Sequence, residues 1–359
     1  VPSGFLALCS QNLPTPAVIP SEHFNTVLYS GTGSARSITG VGFQPDLHWL
    51  KIRAGESKSH MITDAVRGAG KYLQSDGSGA ENTDTGTVSS FDSDGWSFGS
   101  ATANQFNNSG STYVAWCWKA NGSGSSNEDG SINTTATSAN TSAGFSISTY
   151  TGESGNGTVG HGLSKPPNLV IVKSRADADQ WRVGSIQSLG PMDFTDYLKL
   201  NATTAITDEA TTWNDTAPTS SVFSVGSDSA TNHPGYTYVS YCFHDVEGYS
   251  KIGCYKGNAN TDGTFVYTGF APTWILIKRL DGTYGWAMHD NIRDTTNPIT
   301  AAFKADDTEP ETTISNGGGV DFLSNGFKIR DSGTGMNASG SAYLYYAIAE
   351  QPFKHSNAK

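Results

Sequence analysis

One pattern runs three times through the 359 residues, and a repeat constrains a fold more tightly than composition does. It opens as Tyr29-Ser30-Gly31, Tyr150-Thr151-Gly152 and Tyr255-Lys256-Gly257. A lysine then ends a short apolar run, at Lys51, Lys173 and Lys278, with Pro45, Pro167 and Pro272 six positions before it. His60, Trp181 and Trp286 follow eight or nine residues on, and Asp64, Ser185 and Asp290 come four later. Each copy closes on an aromatic stretch that begins at Tyr113, Tyr238 or Tyr343, which lie 62, 65 and 65 residues beyond the lysines.

Each copy reads as β-structure. Residues 169–172 and 274–277 are short β-branched or aromatic runs bounded by proline and turn residues, as buried strands are. The closing stretches alternate large aromatic with small or polar side chains, which suits a pleated surface. Phe91-Asp92-Ser93-Asp94-Gly95 and Phe322-Leu323-Ser324-Asn325-Gly326 carry turn chemistry before a further strand. The chain is therefore expected to be all-β, three tandem β-sandwich or jelly-roll-like repeats, with single helical turns at most, near 64–68 and 290–294. The expected division is an N-terminal segment at 1–22, repeat 1 at 23–119, a Gly/Ser/Thr/Asn linker at 120–143, repeat 2 at 144–247, and repeat 3 with a C-terminal tail at 248–359. Five residues separate Phe243 from Tyr249, so repeats 2 and 3 are expected to pack closely and repeat 1 to be held more loosely.

Charge narrows the partners. Lys and Arg number 22 against 33 Asp and Glu, a formal net charge of −11, which opposes phosphate backbones and anionic lipid. Nucleic acid is not expected, and the apolar runs are too short for membrane insertion by a helix. No basic-then-apolar leader is read at the start. Eight tryptophans supply bulk for a core, which argues against global disorder. Cys9, Cys117, Cys242 and Cys254 lack metal-ligand spacing, so neither a metal nor a cofactor is expected. Cys117 and Cys242 share one repeat position in separate units and are expected not to be bridged to each other.

Catalytic constellations are sought and not found. Asp92 and Asp94 are the obvious carboxylate pair, but repeat 3 has Leu323 and Asn325 there, which favours a turn over glycoside chemistry or a calcium loop. Asp64/Arg67 and Asp290/Arg293 read as structural ion pairs, because repeat 2 holds Ser185 and Ser188 instead. His60 fills a slot that tryptophan fills twice and reads as a packed ring. No nucleophile elbow, phosphate loop or dinucleotide fingerprint occurs, so a non-enzymatic protein is expected. Two aromatics in polar loops, Phe106 and Trp213, are the candidate ligand-binding residues, through ring stacking on sugars; the alternative is that each is tucked under its own loop.

Several longer strings carry a resemblance. Gly42-Phe43-Gln44-Pro45-Asp46, Ser90-Phe91-Asp92-Ser93-Asp94-Gly95-Trp96, Thr261-Asp262-Gly263-Thr264-Phe265-Val266-Tyr267 and the closing Ala349-Glu350-Gln351-Pro352-Phe353-Lys354 resemble a repeat domain of marine bacteriophage virion proteins. Val1-Pro2-Ser3-Gly4-Phe5-Leu6-Ala7-Leu8 is similar to the end of a SPRY-type sandwich that commonly precedes it. The resemblance implies a structural protein of a virion appendage, such as a tail fibre, located on the particle surface among other virion proteins. It also implies multivalent contact with a host-surface glycan, and a homo-oligomer, with a trimer favoured by analogy. Two other readings stay open: a purely architectural capsid decoration or fibre shaft, and an extracellular carbohydrate-binding adhesin module. Solvent-facing aromatics on loop tips would favour binding, and their burial would favour architecture.

Overall fold

In the computed structural model, residues 18–100, 106–187, 190–315 and 318–351 are described. Cys9 and the stretch similar to a SPRY-type sandwich lie outside them, as do Ser188 and the closing string from residue 352 onward. The first unit runs through β1 (Phe24–Ser30), β2 (Arg36–Thr39), β3 (Leu47–Ala54), β4 (Met61–Asp64), β5 (Lys71–Tyr72), β6 (Asn82–Thr83), β7 (Val88–Asp92), β8 (Gly95–Phe98) and β9 (Thr112–Trp118). The second holds β10 (Thr134–Asn140), β11 (Phe145–Thr151), β12 (Gly157–Gly160), β13 (Leu169–Ser174), β14 (Arg182–Ser185), β15 (Asp196–Tyr197), β16 (Thr207–Asp208), α1 (Ala210–Trp213), β17 (Val222–Val225) and β18 (Thr237–Phe243). The third holds β19 (Ser250–Lys256), β20 (Phe265–Tyr267), β21 (Pro272–Arg279), β22 (Ala287–Asp290), β23 (Ala301–Lys304), β24 (Thr312–Thr313), β25 (Val320–Leu323), β26 (Gly326–Ile329), α2 (Thr334–Asn337) and β27 (Ala342–Ala349). The chain is all-β, and its two α-helices are single turns.

One antiparallel order recurs: β1-β9-β3-β4, β11-β18-β13-β14 and β19-β27-β21-β22. In each, the opening strand lies against the closing strand, so Tyr29 faces Tyr113, Tyr150 faces Tyr238 and Tyr255 faces Tyr343. These rings stack with centroids 5.0, 5.1 and 5.0 Å apart. The opening hydroxyls donate to Phe106 O, Thr231 O and Met336 O at 2.8, 2.6 and 2.7 Å, tying the turn before the closing strand to the sheet. A smaller sheet covers one face, with β2-β8-β7 in the first unit against Leu50, Ile52 and Ala115, and β20-β26-β25 in the third against Ile275, Ile277 and Tyr345. Lys51, Lys173 and Lys278 all lie on the strand beside the closing strand, fully buried.

The segment expected as a linker is structured. β10 pairs along β11 from Thr134↔Tyr150 to Asn140↔Phe145, adding an outer strand that, among the described residues, the other units lack. Its Ser/Thr/Ala side chains carry little hydrophobic signal, but the open edge of β11 supplies backbone partners that make a strand of it.

The expected loose attachment of repeat 1 is also corrected. A single core cluster draws Leu47, Trp116 and Trp118 from repeat 1, Leu169, Tyr241 and Phe243 from repeat 2, and Trp274, Leu276 and Tyr346 from repeat 3. The rings of Trp118, Trp274, Tyr346 and Phe243 meet in sequence at 5.5, 5.5 and 5.1 Å. The units close on one another as a ring around this shared core, each pair meeting through equivalent residues. The apolar void left between them is about 20 Å³, with no polar lining, too small for any ligand.

Candidate functional site

The residues that looked most like chemistry sit in the seams of this ring. At each seam a backbone amide of one repeat donates to the residue two beyond the buried lysine of the next: Glu311 N to Arg53 O, Glu81 N to Arg175 O, and Ile206 N to Leu280 O, at 3.0, 3.0 and 2.9 Å. In the first two seams the side chains at those positions also pair as bidentate ion pairs, Arg53 with Glu311 and Arg175 with Glu81. In the third seam the same positions hold Leu280 and Ile206, an apolar pair.

A second layer repeats the division. Arg67 Nε lies 2.5 Å from Asp64 Oδ2 and its Nη1 3.1 Å from Glu81, while the Tyr241 hydroxyl of repeat 2 donates to Asp64 at 2.7 Å. Arg293 meets Asp290 at 2.5 Å and Glu311 at 3.0 Å, and Trp116 Nε1 of repeat 1 donates to Asp290 at 3.0 Å. The Arg293 guanidinium also lies over the Phe303 and Trp116 rings, 4.6 and 5.5 Å from their centroids. Both carboxylates are fully buried among these partners. Ser185 takes this place in the neutral seam, donating to Asn168 O at 2.8 Å.

His60 occupies a seam as well. Its Nδ1 accepts from Trp49 Nε1 at 2.9 Å, and its Nε2 meets Lys304 O at 3.0 Å. Trp181 and Trp286 make the corresponding cross-seam bonds through Nε1, to Gln74 O and Lys199 O, both at 2.9 Å. The lysines join in: Lys51 Nζ donates to Thr308 O of repeat 3 at 2.7 Å and Lys278 Nζ to Thr203 O of repeat 2 at 3.0 Å, while Lys173 stays within its own repeat. Burial pushes all three ammonium groups down to about 8.

Phe106 and Trp213 are not solvent-facing. Both are completely buried. Phe106 lies beneath the turn anchored by Tyr29, its ring centroid 6.4 Å from that of Tyr72. Trp213 ends the single turn α1 and packs edge-on against Phe194 at 5.6 Å inside repeat 2. Asp92 and Asp94 serve turns: Asp92 accepts from Ser90 and Ser97, and Asp94 from the amides of Gly40 and Gly42. Cys117 and Cys242 are buried free thiols. Among the described residues no cluster of three His, Cys, Asp or Glu side chains is placed to hold a metal ion. No helix among them is long and apolar enough to cross a membrane.

An open surface feature lies at the side of repeat 3. A cleft of about 280 Å³ separates the edge strands β19 and β20, lined by Gly253, Tyr255, Val266 and Tyr345 with Phe265 and Tyr267 at its rim. Phe265 and Tyr267 are 43% and 65% exposed and stand on one face of β20, two residues apart. Sequence reasoning missed them because Phe265-Val266-Tyr267 reads as an ordinary aromatic strand; their signal is that the equivalent residues of repeat 2 are Thr158 and Gly160.

The family profile for a domain of unknown function, DUF7483, matches residues 19–352. The chain belongs to this family. No curated protein matches it. The DUF7483 match spans all three repeats and all three seams, so the domain is the closed ring rather than one of its units. Another feature of the DUF7483 ring was readable only in part: Asn107, Asn232 and Asn337 hold one position, each buried and each accepting from the backbone after the opening strand, at Thr32, Glu153 and Asn258. The matching turn strings at 107–111 and 337–341 give two of the three, and Asn232 is hidden by its different neighbours.

Proposed function

We propose that this chain is a non-enzymatic architectural part of a virion appendage or particle surface. The virion setting is carried by the motif resemblance. The observation that carries the architectural role is that Asp64, Arg67, Asp290, Arg293 and His60, the residues best suited to chemistry, hold repeat to repeat inside the ring. The burial of Phe106 and Trp213 supports architecture over glycan contact at those residues. Antibodies raised against the purified chain are expected to decorate intact phage particles in electron micrographs. Signal confined to the soluble fraction of the lysate would overturn the reading.

One observation favours a second reading, adhesion. Phe265 and Tyr267 present two exposed rings about 7 Å apart along one strand, a spacing on which successive sugar rings can stack. Saturable binding of a neutral oligosaccharide, lost in Tyr267→Ala, would support adhesion.

A further inference from the structure

Repeat 2 shows how the side of such a unit is closed. There the chain passes the free edge of β12 at Ser131 and Ile132 and then runs antiparallel along β11 as β10. Ile132 N donates to Thr158 O at 2.9 Å, and Thr158 N donates to Ser131 Oγ at 2.9 Å. The Ile132 side chain enters the sandwich between the two edges, 2% exposed, in one cluster with Tyr150 and Val159. Under this cover every residue of β11 except Thr151 is buried.

Among the described residues, repeat 3 has the same edges without the cover. Tyr255 and Val266 stand where Tyr150 and Val159 stand, and the cleft lies between them, in the place that Ile132 fills in repeat 2. The short connection from repeat 2 cannot double back as a strand; it satisfies only the start of the edge, where Ser250 N donates to Val246 O and Ile252 N to Asp245 Oδ1. These two bonds show which amides of β19 point away from β27, and the alternation puts the Cys254 amide on the open side next. On β20, Ile329 N donates to Thr264 O, so Thr264 faces β26 and Phe265 presents its amide and carbonyl outward, as Thr158 does in repeat 2. Two strand edges that no described strand pairs with, beside an apolar cleft, form a template for strand addition.

We propose that the open side of repeat 3, between β19 and β20, takes an extended strand from another polypeptide, uncharged and rich in Ser, Thr and Ala, with one aliphatic side chain that enters the cleft. The inference rests on the architectural reading and names the contact such a part makes with its neighbour. Residues 131–140 of this chain, Ser-Ile-Asn-Thr-Thr-Ala-Thr-Ser-Ala-Asn, are the pattern for that strand. The preceding loop is excluded from it. Gly160 lies against Asn127 so closely that a Cβ there would sit 1.7 Å from Oδ1, and repeat 3 has Tyr267 at that position.

The test uses the full chain and a fluorescent synthetic peptide of residues 131–140. Saturable binding is expected, with slowed amide exchange at 250–256 and 264–267. A peptide carrying Ile132→Asp is expected to bind at least about tenfold more weakly, as burying an unpaired charge requires. Phe265→Pro and Cys254→Pro each remove one outward amide without touching a ladder bond, and either folded variant is expected to lose affinity several-fold. No saturable binding would overturn the proposal, as would protection confined to β10, β11 and β12, which would mean exchange with the chain's own strand. Oligosaccharide binding at Phe265 and Tyr267 without peptide binding would overturn it in favour of adhesion. Decorated particles without peptide binding would remove the strand site alone; peptide binding without decoration would remove the virion setting alone.

Discussion

His60 and Trp49 together occupy the volume that Ile171 and Trp181 fill in repeat 2 and Leu276 and Trp286 in repeat 3: the larger ring has moved from one strand to its neighbour. Trp49→Leu with His60→Trp is therefore expected to keep the melting temperature within a few degrees, while His60→Trp alone overpacks the seam and costs about 1–3 kcal/mol by denaturant titration. The neutral ring matters because its Nδ1 accepts from Trp49, which a protonated imidazole cannot do. Burial holds His60 well below the ordinary histidine value, His48 at about 3 and His289 at about 4. The unfolded chain binds these protons first as pH falls below about 6.5, so stability drops through the window from there down to about 4, at up to about 1.4 kcal/mol per pH unit for each histidine. Thermal melts between pH 7 and 4 should show this slope, and the Trp49→Leu/His60→Trp protein should show a shallower one. At this scale the sequence spoke well where a residue could be compared with its two counterparts, as for His60, and poorly for Phe106 and Trp213. Their polar neighbours suggested exposure, whereas the backbone around them turns them inward.

At the scale of the element, β10 shows why composition alone misplaces a boundary. A stretch of threonine, serine, alanine and asparagine buries little and would not hold as a strand by itself; it becomes one because β11 offers a row of amides and carbonyls. Deleting residues 125–140 and rejoining the chain with a short glycine-serine linker is expected to leave a folded protein whose β11 edge is bare. Light scattering should then show concentration-dependent association that the parent chain lacks at the same concentration. The lysine strands were placed correctly from the spacing of Pro45, Pro167 and Pro272 because that spacing is local. Partners across a seam, such as Arg53 and Glu311, lie 258 residues apart and leave no local trace. Their trace is visible only by aligning the copies: Arg, Arg and Leu at 53, 175 and 280 against Glu, Glu and Ile at their partners 311, 81 and 206. The natural apolar seam also predicts a mutational result. Arg53→Leu with Glu311→Ile should be tolerated, whereas Arg53→Leu alone leaves Glu311 beside one arginine instead of two and should cost about 1–3 kcal/mol by chemical denaturation.

Across the whole molecule, the shared core joins what the repeat pattern presented as separate units. Unfolding is expected as one cooperative calorimetric transition, because opening any unit exposes Trp118, Phe243 or Trp274 in the other two. Three resolved transitions would count against it. The aromatic sheet surface is largely covered by the chain's own three repeats. The seams also differ in a way that bears on ancestry. Repeat 1 carries Arg53 on its strand and Glu81 on its loop, so both halves of an ionic seam reside in one unit; repeat 2 carries Arg175 and Ile206 at these two positions, and repeat 3 carries Leu280 and Glu311. Three identical copies of repeat 1 could satisfy one another head to tail around a threefold axis, while three copies of repeat 2 would set Arg175 against Ile206 at every joint, and three copies of repeat 3 would leave Glu311 with Arg293 alone. For the three repeats as they stand, the order found here matches every seam and the reverse order would not, so the single chain has the form of a trimer whose subunits have been fused and have since become unable to exchange places.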